Sequence, residues 1–267
     1  MTGSRLGRER PAAVLWDMDG TLVDTEPCWI EAEYALAERH GGTWSNEHAL
    51  NLVGNDLIES GRYIREHMGI ELEPSLIVEE LLDRVIASVE RSVPWRPGAV
   101  ALLSSLREHG VPCALVTMSY RRFVAPILAG LPDETFAQVV TGDAVLRGKP
   151  HPEPYLKAAR GLGVDPADCL AIEDSNTGAR SAEAAGCTVL VVPNHVPVLP
   201  GDRRVFVTSL EGMDVTSLPG GGRDRRADRV GQAVREPAAP LHPGAYVGRA
   251  RARPGGGGHA RSDPAPG

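Results

Sequence analysis

Ala12-Ala13-Val14-Leu15-Trp16-Asp17-Met18-Asp19-Gly20-Thr21-Leu22 opens with five apolar residues and then delivers two acids, a glycine and a threonine. An uninterrupted apolar run of that length, bounded by turn residues, reads as a strand buried on both faces, the kind found in parallel sheets. Residues 111–116, 169–172 and 188–192 have the same character. Amphipathic stretches separate them: 100–109, then 153–161 ahead of Asp165-Pro166, then 175–185, which begins at the capping residue Ser175 and closes at Gly186. Strand and helix in alternation predict an α/β fold built on a doubly wound parallel sheet.

Between Pro27 and about Pro94 the strand signal disappears. Residues 29–40, 57–68 and, after Pro74, 75–91 carry helical spacing, so an α-helical cap subdomain over 27–92 is expected, inserted into a core of 12–26 and 93–218. Asp24-Thr25-Glu26-Pro27 leads in and Pro94-Trp95-Arg96-Pro97-Gly98 leads out, with prolines and a glycine limiting helix continuation. Residues 1–11 form an N-terminal extension, charged rather than shaped like a signal peptide. From Pro219 to Gly267 the composition turns to Gly, Pro, Arg and Ala, and disorder is expected.

The formal charge of −7 hides an asymmetry, because residues 219–267 hold nine Arg and four acids. The preceding body therefore carries 19 basic and 31 acidic residues, a net −12, which argues against nucleic acid as a partner. No apolar run approaches the roughly 18 residues of a membrane span, so no membrane partner and a cytoplasmic location are expected. Cys28, Cys113, Cys169 and Cys187 lie far apart with no Cys-x-x-Cys pair, and read as free thiols rather than a zinc site.

Asp17 and Asp19 follow a buried strand directly, and in a parallel sheet the carboxyl ends of strands form the ligand crevice. Alternation puts both acids on one side, and Gly20 lets the chain turn closely past a bound group. Two anions held this close repel, and a divalent cation relieves that cost, so the pair predicts a metal. Taken alone, the same run is also a turn with helix-capping acids. Thr117 ends the next strand, with a hydroxyl suited to a phosphoryl oxygen or merely to a strand end. Lys149, in Arg147-Gly148-Lys149-Pro150, offers an ammonium for phosphate charge or an ordinary loop lysine. Glu173 and Asp174 again follow an apolar run, giving oxygen ligands that suit Mg2+, although an acid at a helix start is also common.

In order and spacing, Asp17-Met18-Asp19-Gly20-Thr21-Leu22, Val116-Thr117, Gly148-Lys149-Pro150 and Ile172-Glu173-Asp174-Ser175 resemble the four motifs of the haloacid dehalogenase superfamily. The resemblance spans about residues 12–218 and extends to the helical cap after the first motif, as in the subgroup of beta-phosphoglucomutase-like enzymes and sugar-phosphate phosphatases. It implies a Rossmann-like core and a hydrolase of phosphate monoesters. Asp17 would attack phosphorus and form an aspartyl-phosphate, with Asp19 acting as general acid and then base. Thr117 and Lys149 would hold phosphoryl oxygens, and Asp17, Asp174, the Asp19 carbonyl and, further out, Glu173 would surround Mg2+.

The implied substrate is a small phosphorylated metabolite, a sugar or polyol phosphate first, met by a monomer whose cap closes over it. Gly20, Ser119, Trp29 and Gly54 are candidate substrate contacts beside Thr117 and Lys149; Trp29 is equally a packing residue, and Gly54-Asn55 equally a helix connection. Arg121 and Arg122 either approach the phosphate or face solvent at a helix start. A phosphosugar mutase is the enzymatic rival, weakened because mutases of this kind usually carry a histidine where Trp29 stands and an arginine near Leu57. A phosphoryl-accepting signalling module would be shorter, with its aspartate in mid-chain. A catalytically dead binding protein would be expected to have lost a motif.

Overall fold

The computed structural model describes residues 10–53 and 55–220. Six strands form one sheet: β1 (Ala13–Trp16), β2 (Cys113–Val116), β3 (Gln138–Val140), β4 (Cys169–Glu173), β5 (Thr188–Val191) and β6 (Arg204–Phe206). Their order is β3-β2-β1-β4-β5-β6, with every pairing parallel. The chain leaves β1 toward one edge and returns to place β4 on its other side. The carboxyl ends of β1 and β4 therefore flank the topological switch point, where open α/β sheets bind ligands.

The apolar alternation sorts side chains to the two faces. Val14, Trp16, Leu115, Leu170, Ile172 and Leu190 join one buried cluster, shared with α5 (Ala99–Glu108), α6 (Arg121–Leu128) and the inserted helices. Ala13, Leu15, Ala114, Val116, Ala171, Val189 and Val191 join another, against α7 (Glu153–Leu162) and α8 (Asn176–Ala185). The four central strands are buried along almost their whole length, which is why they read as plain apolar runs. β3 and β6 are short, part-exposed edges carrying Gln138 and Arg204, and had no such run to announce them.

The insertion contains α1 (Glu26–His40), α2 (Asn46–Leu50), α3 (Leu57–Met68) and α4 (Pro74–Arg91), with no strand. Asp56 caps α3 by accepting from the Ile58 and Glu59 amides, Pro74 starts α4, and left-handed Gly41 and Gly69 end α1 and α3. The two connecting segments lie side by side: the Asp24 amide donates to the Pro94 carbonyl at 2.8 Å, and the Arg96 amide to the Leu22 carbonyl at 3.0 Å. Arg122, which the sequence left between approaching a phosphate and facing solvent, pairs with Glu79 and Asp83 of α4, joining core to insertion. Gly54 and residues 221–267, most of the expected tail, lie outside the described residues, as do residues 1–9 of the extension. Among the described residues no helix is long and apolar enough to cross a membrane.

Gly98 ends the outgoing segment at φ 82°, and a Cβ there would overlap the Leu210 backbone carbonyl. Gly98→Ala should lower the unfolding free energy by about 1–3 kcal/mol, read from the urea midpoint at unchanged m value.

Candidate active site

The crevice is assembled from the ends of strands and the loops that follow them. Asp17 and Asp19 leave β1, Thr117 and Ser119 leave β2, Lys149 comes from the loop before α7, and Glu173 and Asp174 end β4. Lys149 Nζ donates to Asp17 Oδ1 at 2.6 Å and to Glu173 Oε1 at 2.7 Å, with its side chain only 4% exposed. Glu173 is fully buried and also accepts from the Tyr155 hydroxyl at 2.6 Å and the Ser175 hydroxyl at 3.1 Å. Both of its oxygens are thus engaged. Asp17 differs: its Oδ2 is buried without a hydrogen-bond partner.

Asp19 accepts from the Thr25 hydroxyl at 2.6 Å, the Ser119 hydroxyl at 2.7 Å and the Thr117 hydroxyl at 3.3 Å. Thr117 in turn accepts the Ser119 amide at 3.0 Å, which fixes the turn after β2. Gly20, at φ 84°, permits the tight return after Asp19, and a Cβ there would overlap the Asp174 carboxylate. Tyr155 was not singled out from the sequence, while Thr25 was read only as part of the lead-in segment and Ser175 as a helix cap closing the fourth motif. Tyr155 stands six positions after Lys149, and that proximity to a candidate phosphate ligand was the only available signal.

Asp17, Glu173 and Asp174 each offer an oxygen within 4.8 Å of the others, all buried. Burial first, then the neighbouring Glu173 charge, pushes Asp17 up to about 7 against the pull of Lys149. Burial and the Asp17 charge raise Asp174 as well, and burial raises Asp19 against its three hydroxyl donors. Burial pulls Lys149 down, but Asp17 and Glu173 outweigh it and hold the ammonium charged. Three carboxylates against one ammonium, with one carboxylate oxygen unpartnered, form a donor set that fits a hard divalent cation such as Mg2+.

The crevice and the space beneath the insertion form one cavity of about 100 Å³. Trp29, Asn55 and Leu57 line it, and Trp29 meets Phe123 edge-on at 5.5 Å. Glu26 and Glu33 of α1 line it too, neither of which the sequence had marked. Glu33 accepts from Trp44 Nε1 at 2.8 Å.

The model of the haloacid dehalogenase-like hydrolase family matches residues 14–192. Hexitol phosphatase A of Escherichia coli (strain K12) is 38% identical over 215 residues, 78% of this chain and 95% of the relative. The crystal structure of CbbY from Rhodobacter sphaeroides in complex with phosphate is 27% identical and superposes with a TM-score of 0.68, covering 76% of this chain and 96% of that one. A beta-phosphoglucomutase from Clostridium difficile, 23% identical, shares the fold with a TM-score of 0.63 over 75% of this chain and 92% of its own.

Burial pushes the Glu33 carboxyl from its ordinary 4.5 up to about 7, against the Trp44 hydrogen bond. Between those values the folded chain keeps a proton that the unfolded chain releases, so this group's contribution is present at low pH and lost as pH rises. Glu33→Gln keeps an acceptor for Trp44 and removes the titration. Its stability, followed by thermal melts across that window, should fall with pH less steeply than wild type, by up to about 1.4 kcal/mol per pH unit.

Proposed function

From the chain's membership of the haloacid dehalogenase-like hydrolases, we propose that it is a Mg2+-dependent phosphatase of small phosphate monoesters, sugar or polyol phosphates above others. The observation that carries the reading is the state of Asp17 at the switch point: one oxygen fixed by Lys149, the other buried and without a partner. An acid so placed is oriented for attack and has a free lone pair to use.

In the proposed reaction an Asp17 oxygen forms a bond to phosphorus while the bond from phosphorus to the leaving oxygen breaks. Asp19 gives that oxygen its proton, a role its burial favours by keeping the carboxyl protonated at higher pH. Asp19 then takes a proton from water, the resulting hydroxide attacks phosphorus, and the bond to Asp17 breaks to release inorganic phosphate. Thr117 and Ser119 hold Asp19 in position through both steps. Lys149 steadies Asp17 and offers its charge to the phosphoryl oxygens, while Glu173, bonded by Tyr155 and Ser175, holds Lys149. Mg2+, held by Asp17, Asp174 and the Asp19 carbonyl with Glu173 nearby, would offset the negative charge of the transferring group.

A cavity of about 100 Å³ walled by the inserted helices suits a small metabolite and not a phosphoprotein. Similarity to a hexitol phosphatase supports the polyol end of the range. Trp29 lines the cavity where phosphosugar mutases usually carry a histidine, and Lys149 is the only Lys or Arg lining it among the described residues, which favours hydrolysis.

The purified protein should release p-nitrophenol from its phosphate ester with Mg2+ present. Asp17→Asn should lower kcat/KM by about a thousandfold or more, and activity persisting in that variant would sink the mechanism. Chelation with EDTA should remove the activity and added Mg2+ restore it; turnover that survives thorough chelation refutes the metal requirement.

A further inference from the structure

Glu26 and Glu33 stand seven positions apart on α1 and so share one face of that helix. Both line the cavity that opens from the catalytic crevice. Glu33 is 3% exposed, and Trp44 donates to its Oε2. Trp44 itself stacks on His48 with ring centroids 5.1 Å apart, so the indole is fixed and the carboxylate with it. The other Glu33 oxygen has no partner among the described residues, and Glu26 makes no hydrogen bond or ion pair among them. A carboxylate fixed through one oxygen by Trp44 and lining the cavity offers its second oxygen as an acceptor to a bound molecule.

The charges around it restrict that donor. Asp19, Asp24 and Glu33 all act on Glu26, which places Glu26 electrically between the catalytic acid and the far carboxylate. Lys149 is committed to Asp17 and Glu173, and His195, which also lines the cavity, is paired with Asp24 at 2.7 Å. A second anionic group on the substrate would find no unengaged cation to pair with among the described lining residues.

Resting on the phosphatase reading above, we propose that Glu26 and Glu33 select a neutral, hydroxyl-rich leaving group. Successive hydroxyls of a polyol chain donate first to Glu26 and then to Glu33, and substrates with a carboxylate or second phosphate are turned away. Seven positions along α1 is about 10 Å of helix, so the one ammonium of a short amino alcohol would serve a single carboxylate, whereas hydroxyls spread along a chain can serve both. Burial pushes Glu33 to about 7 and Glu26 to about 8, so near neutral pH both accept from and donate to hydroxyls, which favours an uncharged partner over a cationic one.

The test compares kcat/KM for a hexitol monophosphate, hexyl phosphate, phosphoglycolate and phosphoethanolamine, with p-nitrophenyl phosphate as the reference substrate. In the wild-type protein the hexitol ester should exceed each of the other three by about tenfold or more, chiefly through KM. Glu33→Ala should shrink the hexitol-to-hexyl ratio about tenfold. Glu26→Lys should raise phosphoglycolate relative to the hexitol ester by a similar factor. Equal rates for hexyl and hexitol phosphate, or preference for phosphoglycolate or phosphoethanolamine, would overturn the assignment while leaving the phosphatase reading intact. Failure to hydrolyse any ester, the aryl one included, would overturn both. If the variants do not fold, the wild-type panel alone decides.

Discussion

One ammonium group, Lys149 Nζ, is clamped between Asp17 and Glu173 where β1 and β4 run side by side. Removing one partner from such a buried pair leaves an uncompensated charge, at a cost of about 3–5 kcal/mol. The neighbourhood is built to prevent that. Tyr155 from α7 and the capping residue Ser175 before α8 occupy the remaining capacity of Glu173, so this acid answers to Lys149. With Glu173 engaged at both oxygens, Asp17 and Asp174 are the acids of this group left to line the crevice, where burial first and neighbouring acids next raise both carboxyls. The proposed nucleophile and the proposed site for a divalent cation both follow from that division.

The order of the sheet makes the clamp possible. Lys149 and Glu173 are 24 positions apart and Asp17 lies 132 positions before Lys149, yet parallel pairing of β1 with β2 and β4 brings their ends together. The four central strands were legible because burial on both faces leaves only apolar residues in them. β3 and β6 were not, since an edge strand tolerates Gln138 and Arg204. The five-residue α2 is too short for a helical period to show, and α6 begins with two arginines that look like solvent-facing charge until Arg122 meets Glu79 and Asp83.

The candidate site divides along the same line. Acids at strand ends announce themselves through the apolar run before them, as with Asp17, Asp19, Glu173 and Asp174. Glu26 and Glu33 gave no such signal, because an acid in a helix is ordinarily a solvated one and only tertiary structure reveals which face is covered. Tyr155 was equally silent: an aromatic on an amphipathic helix reads as core, and Tyr155 is core, with only its hydroxyl reaching Glu173.

Chemistry and selection also share a strip of backbone. Thr25, which donates to Asp19, and Glu26, which lines the cavity, are adjacent residues in the segment that crosses into the insertion. That segment is tied down on both sides: Asp24 accepts from Asn194 at 3.1 Å and from His195, and its amide meets the Pro94 carbonyl. A shift of the segment would disturb the hydrogen bond to the proposed acid and base and the first proposed contact with the leaving group together. In the proposed arrangement a leaving group that satisfies Glu26 and Glu33 would also hold Thr25 against Asp19, so that binding energy from hydroxyls remote from phosphorus would help orient the proposed proton donor at the bond that breaks.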